Sequence, residues 1–127
     1  MDKGIAVTGM GMISAIGQNL EETYNSLITG KNGLSFPEIL QTKHTQIPVG
    51  EIKISNKELL DSLKLTSTQP YTRASLLGII AVKEAIANAG LHIKELKSSG
   101  FISGTSVGGM DSTEQFYNDF KNGEHTQ

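Results

Sequence analysis

Gly4-Ile5-Ala6-Val7-Thr8-Gly9-Met10-Gly11-Met12-Ile13-Ser14-Ala15-Ile16-Gly17 is the stretch on which the fold turns. Ile5, Ala6 and Val7 form a short apolar run with no polar alternation, the pattern of a strand covered on both faces, as in parallel α/β sheets. Gly9, Gly11 and Gly17 then mark places where the backbone takes a tight turn or comes close to another element. A dinucleotide fingerprint fits poorly. It needs a helix opening at the second glycine and an acidic residue about 20 positions on, whereas the next helix opens near Asn19 and Gly30-Lys31-Asn32 stands where the acid should be. A phosphate loop fails as well, because Asn32 follows Gly30-Lys31 and Asn25 replaces the leading glycine. Close packing of backbone is the remaining reading of these glycines from the residues alone.

The segment after this stretch is a helix with clear ends. Asn19 stands as N-cap with Glu22 three residues on, each placed to satisfy the other's free backbone N–H. Leu20, Tyr24, Leu27 and Ile28 supply one apolar face, and Gly30 closes the helix in the left-handed conformation. From Asn32 to Ser55 the pattern weakens around Pro37 and Pro48, which predicts a loop excursion with a short edge strand over Val49–Ile54. Ser55 and Glu58 repeat the capping box before a short helix with Leu59, Leu60 and Leu63 on one face.

A long helix is predicted from Pro70 to Ala89, closed by Gly90. It is apolar nearly all round until Lys83, Glu84 and Asn88, which predicts a buried helix. Its small residues Ala74, Gly78, Ala81, Ala85 and Ala89 would admit another backbone at close range. A polar link, Leu91 to Ser99, leads to a second buried strand over Gly100–Gly104, then to the glycine-rich Thr105–Met110 loop. The last helix has Asp111 as its cap with Glu114, and Thr113, Phe116, Tyr117 and Phe120 on one face, ended by Gly123. Asp111 argues against an anion at that helix start, since it would repel one.

Composition narrows the function. The chain has 127 residues, 37% of them apolar, and a net charge of -2, so neither a nucleic-acid footprint nor a disordered acidic tail is indicated. It has no cysteine, hence no disulfide, thiolate metal site or cysteine nucleophile within these residues. His44, His92 and His125 are far apart beside polar neighbours and are read as surface residues, with no metal site. Met1-Asp2-Lys3 lacks the positive charge of a secretory signal, and Leu76–Val82 is too short to span a membrane. A soluble, cytoplasmic protein that binds neither nucleic acid nor membrane is expected.

Val7-Thr8-Gly9-Met10-Gly11-Met12-Ile13-Ser14-Ala15-Ile16-Gly17, then Gly30-Lys31-Asn32-Gly33-Leu34-Ser35, then Gly104 to Gly109, together resemble the amino-terminal signatures of the elongating β-ketoacyl-acyl-carrier-protein synthases. The resemblance implies a thiolase-like α/β fold, with residues 1–127 forming the incomplete first half of a layered αβαβα molecule, the amino-terminal part of the synthase domain. Such a piece, with two strands only, is expected to lean on a partner or to expose apolar surface. The family joins an acyl group, held on a cysteine, to malonyl-carrier protein by decarboxylative Claisen condensation in fatty-acid or polyketide synthesis. It needs no cofactor, uses acyl carrier protein as its partner and forms homodimers. Its catalytic cysteine and histidines lie beyond the point corresponding to Gln127, so no catalytic residue is expected in this chain, and the three histidines present are not substitutes. Val107 matches the family position that lines the acyl pocket. The turn Leu65-Thr66-Ser67-Thr68-Gln69-Pro70 lacks the basic residues by which familiar bacterial members hold the carrier protein. That leaves Lys64 and Arg73 as docking candidates and points to a secondary pathway such as polyketide or pigment synthesis. Two other readings remain open: a non-catalytic partner subunit like the chain-length factors, and a truncated piece with no function of its own.

Overall fold

The computed structural model describes residues 4–66 and 71–123. Its elements run α1 (Leu20–Ile28), β1 (Leu34–Ser35), β2 (Val49–Gly50), α2 (Asn56–Leu63), α3 (Arg73–Asn88), a 3₁₀ helix (Ile93–Ser98) and α4 (Met110–Lys121). The long helix is the spine. Thr72 is its N-cap, with Oγ1 accepting from the Ser75 N–H, so the helix starts later than the expected Pro70, which lies outside the described residues. Gly90 follows with φ of 67°.

α2 packs on α3, and the two fully buried large side chains among the described residues, Leu59 and Leu76, come one from each helix. The capping box of α2 is complete. Ser55 N–H donates to Glu58 Oε2 at 2.8 Å, and Glu58 N–H donates to Ser55 Oγ at 3.2 Å. The Ser55 hydroxyl, and then its N–H, hold the Glu58 carboxyl below the usual carboxylate range. At α1 the box is only half reciprocal: Glu22 N–H donates to Asn19 Oδ1, but the Glu22 carboxylate accepts from Gln18 N–H and the Asn19 amide.

The glycine arm supplies the backbone that α3's small residues admit. A Cβ on Gly9 would run into the Ala85 carbonyl and come within 2.7 Å of Ala89 Cβ, and one on Gly11 would run into the Ala81 carbonyl. Only a chain without side chains at these two points can lie so close to a helix whose facing residues are alanines four apart.

Several expectations are corrected. Neither Ile5–Val7 nor Gly100–Gly104 is a strand: Ile5 is 100% exposed, Val7 81% and Ile102 99%. A ladder needs a neighbour, and among the described residues neither stretch has one. The edge strand over Val49–Ile54 shrinks to Val49–Gly50, antiparallel to Leu34–Ser35. Past that pair the Ile54 N–H turns back to the Ile52 carbonyl, and Arg73 donates to the carbonyls of both Ile52 and Ile54. The apolar face of α1 points outward, with Tyr24, Leu27 and Ile28 exposed; Thr23 and Ser26 are buried instead, because that side rests on the Gly17 turn. Ser26 Oγ donates to the Ile16 carbonyl, while Thr23 Oγ1 has no protein partner. Apart from Leu76, α3 is only partly covered, against the expectation of a buried helix. The polar link to the second glycine loop holds the 3₁₀ helix.

The exposed surface is 10498 Å², against about 6,600 Å² for a compact monomer of this mass. Phe101, Phe116, Tyr117 and Phe120 add to the apolar surface in contact with water.

Candidate functional site

The second glycine loop leaves the irregular 101–105 segment and enters α4. Gly108 turns it with φ of 57°, and its N–H donates to Thr105 Oγ1 at 3.0 Å. Met110 N–H donates to the Val107 carbonyl at 3.3 Å, closing the turn around Val107. Val107 itself is 67% exposed. The groove of about 500 Å³ between the small-residue side of α3, with Ala74, Gly78 and Ala81, and the segment Phe101–Thr105 reaches Gly108 and Gly109 of the loop, but Val107 does not line it. Its lining is mainly apolar and holds no titratable side chain, so it offers volume and contact rather than acid–base chemistry.

Asp111 does not cap α4. Thr113 N–H donates to the Gly109 carbonyl, which puts the cap at Gly109, and Asp111 Oδ2 accepts instead from the Arg73 N–H at 2.9 Å. A carboxylate from α4 thus serves the positive end of α3.

Arg73 was expected as a docking charge. Its guanidinium donates through Nη1 to the Ile54 carbonyl at 2.8 Å and to Asn56 Oδ1 at 2.9 Å, and through Nη2 to the Ile52 carbonyl at 2.6 Å. The planar fork thereby binds the segment entering α2 to the start of α3. Lys64 is exposed at the end of α2, in the left-handed conformation at φ of 56°. Hydrogen bonding joins Arg73 to the Val107 loop through Asp111; no bond of the described residues ties Lys64 to it. His44 and His92 are exposed as expected, and His125 lies outside the described residues.

Two residues that organise the first glycine loop carried no role in the sequence reading. Glu84 accepts from Met12 N–H at 2.8 Å and Leu20 N–H at 2.7 Å, one bond to each oxygen, and Asn88 Oδ1 accepts from Met10 N–H at 3.0 Å. The available signal was their spacing: two polar residues four apart, each next to an alanine of the small stripe. Glu51 was likewise missed. Its carboxylate accepts from the N–H groups of Glu38, Ile39 and Leu40, with the shortest bond 2.6 Å. The Glu38 N–H, followed by those of Leu40 and Ile39, lowers its pKa from the ordinary 4.5, against the opposing effect of burial. Lys53 pairs with Glu38 at the same place.

Among the described residues no group of acidic or histidine side chains could hold a metal ion, and no helix is long and apolar enough to cross a membrane. The chain belongs to the β-ketoacyl synthase family: residues 2–126 match the model of that family's N-terminal domain, which implies a thiolase-like fold. It is similar to 3-oxoacyl-[acyl-carrier-protein] synthase 1 of Buchnera aphidicola subsp. Schizaphis graminum, with 31% identity over 84% of this chain and 26% of the relative. Synthase 2 of Staphylococcus aureus strain COL is 29% identical over 89% of the chain and 28% of its own length. Synthase 1 of Escherichia coli K12 is 29% identical over 84% and 26%. The chain therefore spans about a quarter of the length of these curated relatives. No solved structure gives a significant match.

Proposed function

We propose that these residues are the amino-terminal part of a 3-oxoacyl-acyl-carrier-protein synthase, the incomplete first half of its αβαβα layers. The parent enzyme condenses an acyl group with malonyl-carrier protein, with loss of carbon dioxide, in fatty-acid or polyketide synthesis. The observation that carries this reading is the family match across residues 2–126. The excess surface supports it, since Ile5, Val7, Phe101 and Ile102 are apolar side chains suited to a covered sheet and stand uncovered. The acyl-bearing thiol belongs to other residues of the parent, because these contain no cysteine; alone, they are inactive. The enzyme acts as a cytoplasmic homodimer, without a cofactor, on acyl chains delivered by acyl carrier protein.

Val107 lines the acyl pocket and limits chain length by the volume it fills. Lys64 and Arg73 contribute positive potential for the acidic carrier protein. Lys64 does so from an exposed side chain, and Arg73 at longer range, its donors being engaged with backbone carbonyls.

The test is the intact mass of the full natural chain after incubation with acyl-loaded carrier protein. Uptake of one acyl group by a protein longer than 13.6 kDa supports the synthase. A longer protein that takes up none while associating with a synthase indicates a chain-length factor and overturns the enzyme reading. A Val107→Phe variant is expected to lose long-chain substrates before short ones; unchanged preference removes Val107 from the pocket.

A further inference from the structure

We propose that Asp111 is a positioning residue: it ties the loop carrying Val107 to the amino end of α3, and through that tie sets how long an acyl chain is accepted. This rests on the reading of Val107 as an acyl-pocket residue.

The N–H of Arg73, first residue of α3, has no acceptor within its own helix. The first turn of α3 holds no acidic residue. Asp111 supplies the carboxylate from another element, with Oδ2 2.9 Å from that nitrogen. A close approach lies beside it: the Thr72 methyl group stands 2.9 Å from where a Cβ on Gly109 would be, so the loop passes the residue capping α3 at a distance that leaves no room for a side chain there. Two successive residues of α3's start, Thr72 and Arg73, thus meet Gly109 and Asp111.

The post to which the loop is tied is itself secured. Arg73 holds the carbonyls of Ile52 and Ile54 and the Asn56 side chain, while α3 carries the buried Leu76 one turn further on. On the other side of Val107 the described residues supply no such fastening; whatever sheet covers Phe101 and Ile102 in the parent belongs to other residues, so the tie to α3 within this chain is the one from Asp111. Phe101 and Ile102 are exposed and belong to no ladder, and the nearest restraint is the Gly108–Thr105 bond inside the loop. Among the described residues, the position of Val107 relative to α3 is therefore set from its carboxyl-terminal side, by Asp111 and Gly109. Releasing Asp111 lets the loop move away from α3 and enlarges the space that Val107 limits.

The experiment compares Asp111→Ala and Asp111→Asn with the wild type and with Val107→Phe, all in the full natural chain. Three quantities are read: hydrogen exchange of the Arg73 amide, the methyl resonances of Val107, and the ratio of kcat/KM for long over short acyl thioesters. Asp111→Ala is expected to speed Arg73 exchange about fivefold, as for loss of a helix-capping acceptor. It should also move the Val107 methyls and raise the long-to-short ratio several-fold. Asp111→Asn, which keeps an acceptor oxygen, is expected to restore most of each effect, and it serves as the folded reference if the alanine variant does not fold. Unmoved Val107 methyls in both Asp111 variants overturn the tether. A ratio that Val107→Phe changes and the Asp111 variants do not overturns the specificity role while sparing the acyl-pocket reading. A ratio that Val107→Phe leaves unchanged removes the acyl-pocket reading and the specificity role with it; the amide and methyl signals then decide the tether by themselves.

Discussion

Residues 4–28 and 100–121 share one local plan, an apolar run, a glycine-rich loop and a helix, yet they attach to α3 in different ways. The first loop lies along the helix, with Gly9 and Gly11 against Ala81, Ala85 and Ala89 and two of its N–H groups held by Glu84 and Asn88, while Glu84 also takes the Leu20 N–H at the start of α1. The second meets α3 at its amino end, through Gly109 and Asp111, and faces the rest of it across an open groove. The apolar runs are equally uncovered in both. What separates the two is the length of α3's small-residue stripe that each meets: the carboxyl-terminal part, Ala81 to Ala89, is edged by Glu84 and Asn88, and the amino-terminal part, Ala74 to Ala81, has no such acceptors beside it. Small residues permit approach, and acceptors that satisfy the arriving N–H groups make it favourable.

The contrast breaks most readily at the glycines. Gly11→Val should destabilise the full natural chain by about 3 kcal/mol or more, as overpacking against an immovable backbone does. Gly104→Ala, with nothing within 4 Å of the added carbon, should change stability by no more than about 0.5 kcal/mol. Denaturant unfolding of both variants checks the pair, and equal effects would erase the distinction between the loops. Removing the acceptors comes next. Glu84→Ala strands two N–H groups and is expected to cost about 2 kcal/mol, with the amide protons of Met12 and Leu20 losing protection in hydrogen exchange. Smaller still, Gly78→Ala should stabilise α3 by about 1 kcal/mol through helix propensity, because that position faces open space.

Legibility followed the range of the interaction. The Ser55–Glu58 box, the turns at Gly30 and Gly90, and the small stripe of α3 depend on residues within a few positions of one another, and they were readable. Which face of α1 is buried was not, since it depends on Thr23 and Ser26 meeting the Gly17 turn. Nor was the function of Asp111: a carboxylate in the first turn of a helix looks like that helix's cap, and only the arrival of another helix end shows otherwise. Val107 was singled out by family resemblance, while its exposed place at the loop apex came from the structure.

The mildest test concerns acid. Glu51 and Glu58 bind protons less readily folded than unfolded, so their contribution is complete above the ordinary 4.5 and is lost as the pH falls through their lowered values. Glu51→Gln should make the Glu38–Leu40 amides less protected above pH 4.5 and remove most of their pH dependence below it, measured by hydrogen exchange. A pH dependence equal to the wild type's would mean that Glu51 does not hold this segment.

The order of the residues settled the local grammar: which stretches form helices, where the chain lacks side chains, and to which enzyme family it belongs. Tertiary structure decided the rest, because a donor in one segment finds its acceptor in another only when the chain is folded. It placed Glu84 on the first loop and on the start of α1, 72 and 64 positions away, gave Asp111 to a helix not its own, and turned Arg73 inward onto the carbonyls of Ile52 and Ile54.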